Sequence, residues 1–237
     1  MDSALVNIGL GLLTSLLGGV LGWLWERGRR RRVVYRKAAF FGVRPGEPCL
    51  IVLGSKHDSP GSAHQRDARA GIELAVLLAG LGCQVAVEGG NLRGGNEDRT
   101  EFCIGGPVGG ANPRTGGHLA AHLPGVTIRP FGTGEDAVAI DVGGRLYRFD
   151  RGAEEFALVA RFTPPESTRP VLLVCGQSSV GNQAAITFLR REHAQVAAAV
   201  TSVHRFCVLI RIGHIDTYLF HRTSLEQDVS AAAFAHE

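Results

Sequence analysis

The sequence lacks the short motifs on which many enzyme and metal sites depend. It contains no CxxC pair, no GxGxxG after the first strand-like run, no GxSxG and no HExxH. Each absence removes the sequence basis for one class of site: a zinc ribbon, a dinucleotide oxidoreductase, a serine-hydrolase elbow and a zinc protease.

The cysteines are odd in number and each lies in or next to an apolar run, so we interpret them as buried free thiols in a reducing compartment rather than as a disulfide framework. They are Cys49, Cys83, Cys103, Cys175 and Cys207.

Charge is missing from residues 4–25, ALVNIGLGLLTSLLGGVLGWLW. As a helix this segment would be roughly 33 Å long, which is enough to cross the hydrocarbon core of a bilayer. Trp23 and Trp25 stand where an interfacial aromatic belt is expected, and five arginines follow within residues 27–32. The positive-inside rule then places the rest of the chain in the cytoplasm and the N-terminus outside. We therefore predict a single-pass cell-membrane protein, with the lipid bilayer as its first partner.

Two other interpretations of this segment are weaker. A cleaved signal peptide carries its positive charge before the apolar stretch, whereas here Asp2 precedes it and Glu26 follows it. A buried core helix rarely runs uncharged for this length and then ends in RGRRRR.

Gly18 and Gly22 form a GxxxG pair, which predicts a homodimer through this face of the helix.

The net positive charge of the chain comes from its N-terminal part. Residues 1–44 carry a net charge of +6, and the whole chain carries +3, so the remaining residues sum to −3. A mildly acidic body lacks the basic surface that neutralises phosphates in a nucleic-acid complex. We expect no nucleic-acid partner.

After the basic flank, which ends at residue 32, the sequence predicts a linker over 33–48, an α/β domain over 49–222 and a loosely ordered tail over 223–237. CLIVLG, the helical stretch 64–82 and CQVAVEG form a strand, helix, strand unit, which implies parallel pairing. Short strands separated by glycine-rich turns over 126–162 predict antiparallel hairpins. PVLLVCG, the stretch 179–193 and RFCVLIRIG restore the alternation. The fold class is therefore α/β, with a mixed sheet that has helices on both faces.

Three glycine-containing loops follow predicted strands, at the edge where open α/β sheets bind ligands. A glycine turn that opens a helix offers free N–H groups to an anion, so we predict a small anionic or nucleotide-type ligand there. Glycine turns and Ser or Asn caps also occur without any ligand, and that alternative stays open. The segment GQSSVGNQ matches only half of a P-loop, because Asn182 stands where lysine is required. The candidate ligand-binding residues are Gly54, Ser55, Gly105, Gly106, Asn112, Gly176, Ser178, Ser179, Gly181 and Asn182.

The segments FCIGGP, with Asn112 downstream, and LLVCGQSSVGNQAAITFL resemble bacterial membrane-tethered Rossmann-like sensor or effector domains, a group that includes TIR-like and nucleoside-processing folds. The resemblance covers about a fifth of the chain. It implies that an enzyme of this kind would use a carboxylate near a strand end to stabilise an oxocarbenium-like state at a ribose carbon. Glu88, which ends the second strand, is the carboxylate placed in that way, although the same position is more typical of an ordinary surface acid that faces a loop.

The histidines favour no metal site. His57 and His64 flank a loop, and His118 and His122 have helical spacing, but HLAAH lacks the glutamate of a zinc-protease helix. We predict neither a metal nor a cofactor.

The leading hypothesis is a membrane-anchored sensor or scaffold that binds a small anionic or nucleotide-type ligand. The alternative is an enzyme that cleaves an N-glycosidic bond in a nucleoside or an NAD-like substrate, and a third possibility is a structural anchor without a ligand.

Overall fold

A computed structural model describes residues 2–55, 62–96, 98–108 and 111–235, with the side chains of 2–17 and of residue 30 left out. The chain divides into two compact units, Met1–Ala38 and Ala39–Glu237, and the second is called the body below. The first unit is helical. It forms most of helix α1, which spans Asp2–Phe41.

Helix α1 contains the whole predicted membrane segment, so the helical state predicted for residues 4–25 is confirmed. Among the side chains that the structure describes, no helix is long and apolar enough to cross a membrane. Residues 4–17 of the predicted span lie outside those side chains, and the membrane span therefore stays a prediction. Trp23 and Trp25 are exposed, and nothing lies within 4 Å of a Cβ built on Gly18 or Gly22. The homodimer predicted for these glycines likewise stays a prediction.

The body is built on a mixed seven-stranded sheet. Its strands are ordered β10-β9-β7-β8-β3-β1-β2, and β8, β3, β1 and β2 are parallel neighbours. Strand β7 runs antiparallel to both β8 and β9, and β10 pairs antiparallel with β9. The strands are β1 Pro48–Leu53, β2 Gln84–Gly89, β3 Thr100–Ile104, β4 Val126–Ile128, β5 Ile140–Val142, β6 Arg145–Tyr147, β7 Glu154–Phe162, β8 Val171–Gly176, β9 Phe206–Gly213 and β10 Thr223–Asp228. The helices after α1 are α2 Gln65–Gly80, α3 Pro113–His122, α4 Ser179–Ala199, α5 Ile215–Tyr218 and α6 Ser230–Ala233.

Both faces of the central strands are covered, which explains why β1 and β8 are almost wholly apolar and why all of β3, including Thr100 and Glu101, is buried. Leu50 and Val52 of β1 belong to a core cluster that includes Leu119 of α3 and residues of β5 and β6. The alternate side chains of β1 face the other way, because Leu53 contacts α2 at Gly71. Helices α2 and α4 pack against each other there. The predicted mixed sheet flanked by helices is confirmed.

The antiparallel strands predicted over 126–162 are found, but they are divided between two sheets: β4, β5 and β6 make a separate three-stranded sheet, whereas β7 enters the main sheet. Strand β7 is nine residues long and almost wholly buried, so it pairs on both sides inside the core. The tail predicted for 223–237 is ordered over the described residues: β10 pairs with β9, and Ala233 of α6 is buried.

The predicted linker 33–48 also needs correction, because it is helical as far as Phe41 and the body begins at Ala39. Phe40 and Phe41 are fully buried. Gly42 ends the helix with φ +71°, the left-handed conformation common after a helix C-terminus. Buried Arg161 on β7 donates from Nη1 to the carbonyl oxygens of Ala39 (2.7 Å) and Phe40 (2.8 Å), so it satisfies carbonyls that the end of the helix leaves without partners.

Candidate functional site

The three predicted glycine loops lie together at the carboxyl edge of the parallel strands. Gly54 follows β1, Gly105 follows β3 and Gly176 ends β8, in three adjacent strands of the sheet. The amide of Gly54 donates to the Ile104 carbonyl oxygen at 3.0 Å, and a Cβ built on Gly105 would lie 3.6 Å from the Cα of Gly54. Gly105 also has φ +105°, which favours glycine. The backbone approaches closely here because these positions carry no side chain.

The two predicted asparagines hold these loops in place. Asn112 caps α3 by accepting from the Thr115 amide, and its Nδ2 donates to the Ile104 carbonyl oxygen at 3.0 Å. Asn182 accepts from the Gly176 amide at 2.7 Å through Oδ1 and donates to Asp67 Oδ1 at 2.8 Å through Nδ2. Both side chains are buried and already paired. Their observed role is to connect loops, and any role in ligand binding stays a prediction.

The remaining predicted positions line the same turns. The Ser55 amide donates to the Ala111 carbonyl oxygen at 2.7 Å, and the Gly106 carbonyl oxygen accepts from the Asn112 amide at 3.1 Å. Ser179 is the first residue of α4 and is half-buried. These contacts bring the loops after β1 and β3 together.

Ser178 is the N-cap of α4, and it connects the helix to a buried carboxyl group. Its hydroxyl oxygen accepts from the amides of Val180 (3.0 Å) and Gly181 (3.5 Å), so two of the N–H groups predicted to be free for an anion are already hydrogen-bonded. The hydroxyl itself donates to Glu155 Oε2 at 2.6 Å. Glu155 reaches this edge because β7 runs opposite to β8 and begins where β8 ends.

Glu155 is the most unusual side chain at this edge. It is fully buried, and its second carboxyl oxygen, Oε1, has no hydrogen-bond partner among the described residues. Burial raises the pKa of Glu155 to about 7, although the hydrogen bond from Ser178 and the positive charge of Arg66 both lower it. Burial likewise raises the pKa of Asp67, against the hydrogen bond from Asn182. We call Glu155, Ser178, Asn182 and Asp67, with Gly54, Gly105 and Gly176, the switch-point cluster.

Glu88, the predicted catalytic carboxylate, lies apart from Glu155 and Ser178 of this cluster, although its strand pairs with β1, which Gly54 follows. It is exposed on the edge strand β2, and β1 and β3 lie between β2 and β8. Neighbouring strands are about 4.8 Å apart, so β2 and β8 are separated by about 14 Å. Its position fits a surface acid better than a group that shares a site with Ser178.

The cluster contains acidic groups that the sequence did not reveal. Asp67 follows the predicted helix start by a few residues, and Glu155 is the second residue of the run EEFALVARF. A carboxylate directly before the apolar stretch FALVA is a usable signal, because β7 is buried from Glu155 onward. Gln177 was missed as well: it is buried, accepts from the Phe156 amide at 2.7 Å and donates to the Tyr147 carbonyl oxygen at 2.7 Å, which fixes the turn before α4.

A second polar cluster lies beneath α3, centred on the fully buried Glu101 of β3. Arg114 donates to both carboxyl oxygens at 2.7 Å, His118 Nε2 lies 3.0 Å from Oε1, and the Cys103 thiol donates to Oε1 at 3.1 Å. Burial would raise the pKa of Glu101, but the hydrogen bonds from Arg114 and His118 lower it to about 2.

Glu101, Cys103 and His118 also form a group with metal-ligand chemistry. Two observations disfavour a metal at this position. The Arg114 guanidinium already neutralises the carboxylate through two hydrogen bonds. Burial also raises the pKa of the Cys103 thiol far above its ordinary value, whereas a metal binds the thiolate. His57 and Asp58 lie outside the described residues, and the absence of a metal predicted for His57 and His64 stays a prediction.

No family model, curated protein or solved structure matches this chain. The resemblance to bacterial membrane-tethered Rossmann-like domains therefore stays a prediction. The α/β architecture itself rests on the strand order and pairing described above.

Proposed function

We propose that the body binds a small nucleotide-type ligand at the switch-point cluster and acts as a sensor or scaffold. The observation that carries the proposal is the buried Oε1 of Glu155, which has no hydrogen-bond partner in the described part of the chain and lies at the edge where three glycine loops meet. Buried polar atoms in native proteins are paired in the great majority of cases, so this oxygen takes a partner from outside the described chain, and in this proposal the partner is a ligand group. A ligand hydroxyl or amino group that donates to Oε1 would satisfy it.

Charge next to this carboxyl group supports the nucleotide class. Arg66, in the first turn of α2, is close enough to Glu155 to lower the pKa of that group. A guanidinium binds phosphate or carboxylate oxygens well. A ligand with hydroxyl groups and one anionic group, such as a nucleoside monophosphate, matches a site that pairs a carboxyl acceptor with a cation.

The N-terminal segment supports a membrane location for this function. Residues 4–25 carry no charge, and five arginines follow in residues 27–32. We propose that this helix anchors the protein in the cell membrane and leaves the body in the cytoplasm. A reporter fused to the C-terminus and assayed for cytoplasmic activity tests the orientation, and an active reporter outside the cell would contradict it.

Thermal unfolding of the full-length protein tests ligand binding. AMP, adenosine, ribose 5-phosphate and inorganic phosphate are the probes, and a ligand at 100 times its Kd adds about 2.7 kcal/mol of stability. We expect AMP to raise the midpoint, and Glu155→Gln to reduce the shift because its amide N–H₂ would face the ligand donor. Glu88→Gln, on the exposed edge strand, is the matched control and should respond as the wild type does. No shift with any probe, or equal shifts in both variants, would overturn the proposal and leave a structural anchor.

The alternative function is cleavage of an N-glycosidic bond in a nucleoside or an NAD-like substrate. The observation that favours it is the same carboxyl group, with a pKa of about 7, because a buried carboxylate at this edge is positioned to stabilise positive charge at a ribose carbon. Release of nicotinamide from NAD and of hypoxanthine from inosine, followed by chromatography, measures the activity. An enzyme should lose turnover but retain substrate binding in Glu155→Gln, whereas a binding module has no turnover to lose.

A further inference from the structure

Strand β2 forms one edge of the main sheet, and the outer side of this strand is open. It pairs with β1 along its whole length, and no strand in the described part of the chain pairs with its other side. All of its side chains are exposed or half-buried. The backbone N–H and C=O groups that point outward from β2 are therefore available to another strand.

The two edges of the sheet differ in how they are protected. Strand β10, at the opposite edge, is polar, and its pairing with β9 shifts register between Leu225 and Gln227. A bulge and charged side chains of this kind block further pairing at an edge. Strand β2 has the sequence QVAVEG, without lysine or proline, and its pairing with β1 is regular. Its composition thus favours a further strand at this edge.

Helix α2 carries an apolar flank beside the same edge. Its Glu73 accepts from Thr187 of α4 at 2.9 Å, which marks the flank that faces α4. Helix α4 packs on β7 and β8, on the far side of β1 from β2, so the opposite flank of α2 faces the open edge. Ile72 on this flank is 65% exposed, and Val87 of β2 is 52% exposed. By helical spacing, the uncharged flank consists of Ala68, Ile72, Ala75 and Ala79.

We infer that the body forms a homodimer in which the β2 strands of two copies pair antiparallel across a two-fold axis. This axis is perpendicular to the sheet, so each residue lies opposite one that faces the same side. With Ala86 on the axis, Val85 lies opposite Val87 and Gln84 lies opposite Glu88. The Gln84 amide then donates to the carboxylate of Glu88, which is the one charge in the strand. The strand is complementary to itself in this register, and for that reason the partner is a second copy.

The same axis brings the two α2 helices together. Helix α2 contacts both β1 and β2 of its own sheet, so it lies about one strand spacing, about 4.8 Å, from the dimer axis. The two α2 helices are then about 10 Å apart, which is close to the distance between packed helices. The alanines of the flank allow this approach, and the dimer covers the exposed Ile72 and Val87. This surface is separate from Gly18 and Gly22 and from the switch-point cluster.

Sedimentation equilibrium of the full-length protein in detergent tests the inference. We expect the wild type to be a dimer, and Val87→Lys to raise the Kd of the dimer at least about tenfold, because it places a strongly hydrated charge in the strand pair. Ser224→Lys, on exposed β10, is the matched control and should keep the wild-type Kd. Gly22→Ile and Glu155→Gln should also remain dimers, so failure of the helix dimer or of the ligand site can be told apart from failure here.

Two outcomes of this experiment would overturn the inference. A monomeric wild type would leave the open edge to a strand of another protein. A dimer that Gly22→Ile dissociates and Val87→Lys does not would place the interface on α1 instead. Circular dichroism of Val87→Lys shows whether the variant keeps the wild-type fold.

Disulfide cross-linking tests the register without a change in the charge of the edge. In Ala86→Cys the two new thiols lie opposite each other, with Cβ atoms about 5 Å apart, which a small adjustment brings within the span of a disulfide. The five native cysteines are buried. After oxidation by oxygen with copper phenanthroline, we expect a covalent dimer on a non-reducing gel for Ala86→Cys and a monomer for Ser224→Cys. Absence of the Ala86→Cys dimer, or equal yields from the two variants, would refute the pairing.

Discussion

Replacing Glu155 by glutamine should change how the stability of the protein depends on pH. Glutamine has nearly the same shape but does not titrate, and the Ser178 hydroxyl can still donate to its carbonyl oxygen. The wild-type carboxyl group has a pKa of about 7 in the folded protein against an ordinary value of 4.5, because it is buried. The difference between the two proteins therefore isolates one group, since every other titrating residue is common to both.

The sign and size follow from these two pKa values. Below pH 4.5 the carboxyl group is protonated in both the folded and the unfolded chain, so its titration changes nothing. Between pH 4.5 and 7 the unfolded chain releases the proton first, and the free energy of unfolding falls by about 1.4 kcal/mol per pH unit. Above pH 7 both states are ionised, and the loss stays at about 3 kcal/mol.

Urea unfolding of the full-length wild type and of Glu155→Gln, followed by circular dichroism across this pH range, measures the difference. We expect Glu155→Gln to gain about 3 kcal/mol relative to the wild type as the pH rises through the window. Glu88→Gln, which alters an exposed glutamate, should keep the wild-type slope. Parallel pH profiles for the wild type and Glu155→Gln would refute the assignment of a raised pKa to this carboxyl group.

Other substitutions test the contacts that hold the body together. Arg161→Met should lower the free energy of unfolding in urea by about 3 kcal/mol, because it leaves buried carbonyl groups without a donor. Arg161→Lys should recover part of that loss, and wild-type stability in Arg161→Met would contradict this role. Gly42→Ala should lower the free energy of unfolding by about 2 kcal/mol, because a Cβ there would lie 2.5 Å from the side chain of a neighbouring proline. Gly46→Ala, which has open space around it, should lower it by only about 1 kcal/mol, and equal losses would argue against the contact at Gly42. Ser178→Ala should destabilise α4 by about 1 kcal/mol, because the helix loses its N-cap. It should also raise the pKa of Glu155 further, because the hydrogen bond that lowers this pKa is lost; carboxyl ¹³C NMR measures the pKa, and a fall would exclude the hydrogen bond.

Local patterns were sufficient for the elements whose two faces are covered. Strands β1, β3 and β8 are short apolar runs followed by glycine, and α2 has a regular apolar face, so their positions were predicted to within a few residues. Strand β10 was missed because TSLEQD is polar and its burial alternates. Its strand conformation depends on pairing with β9, a contact that the sequence of β10 alone does not encode.

The site was predicted in part for the same reason. Each glycine loop follows its own strand, so the local sequence was enough to place Gly54, Gly105 and Gly176 at one edge. Glu155 comes from an antiparallel strand that joins the sheet beside β8, and its position depends on strand order rather than on neighbouring residues. Glu88 was chosen because it ends a strand, but that strand lies at the far edge of the sheet.

The place of β8 between β3 and β7 has a consequence for biosynthesis. Strand β7 leaves the ribosome before β8, and the two can close early as a hairpin, but β8 must also reach β3 across the intervening α3 and small sheet. Long-range closure of this kind is slow because the loop entropy is lost before the contact forms. We expect nascent chains that have not yet completed this step to expose the apolar flank of the hairpin, which makes them targets for holdase chaperones during translation.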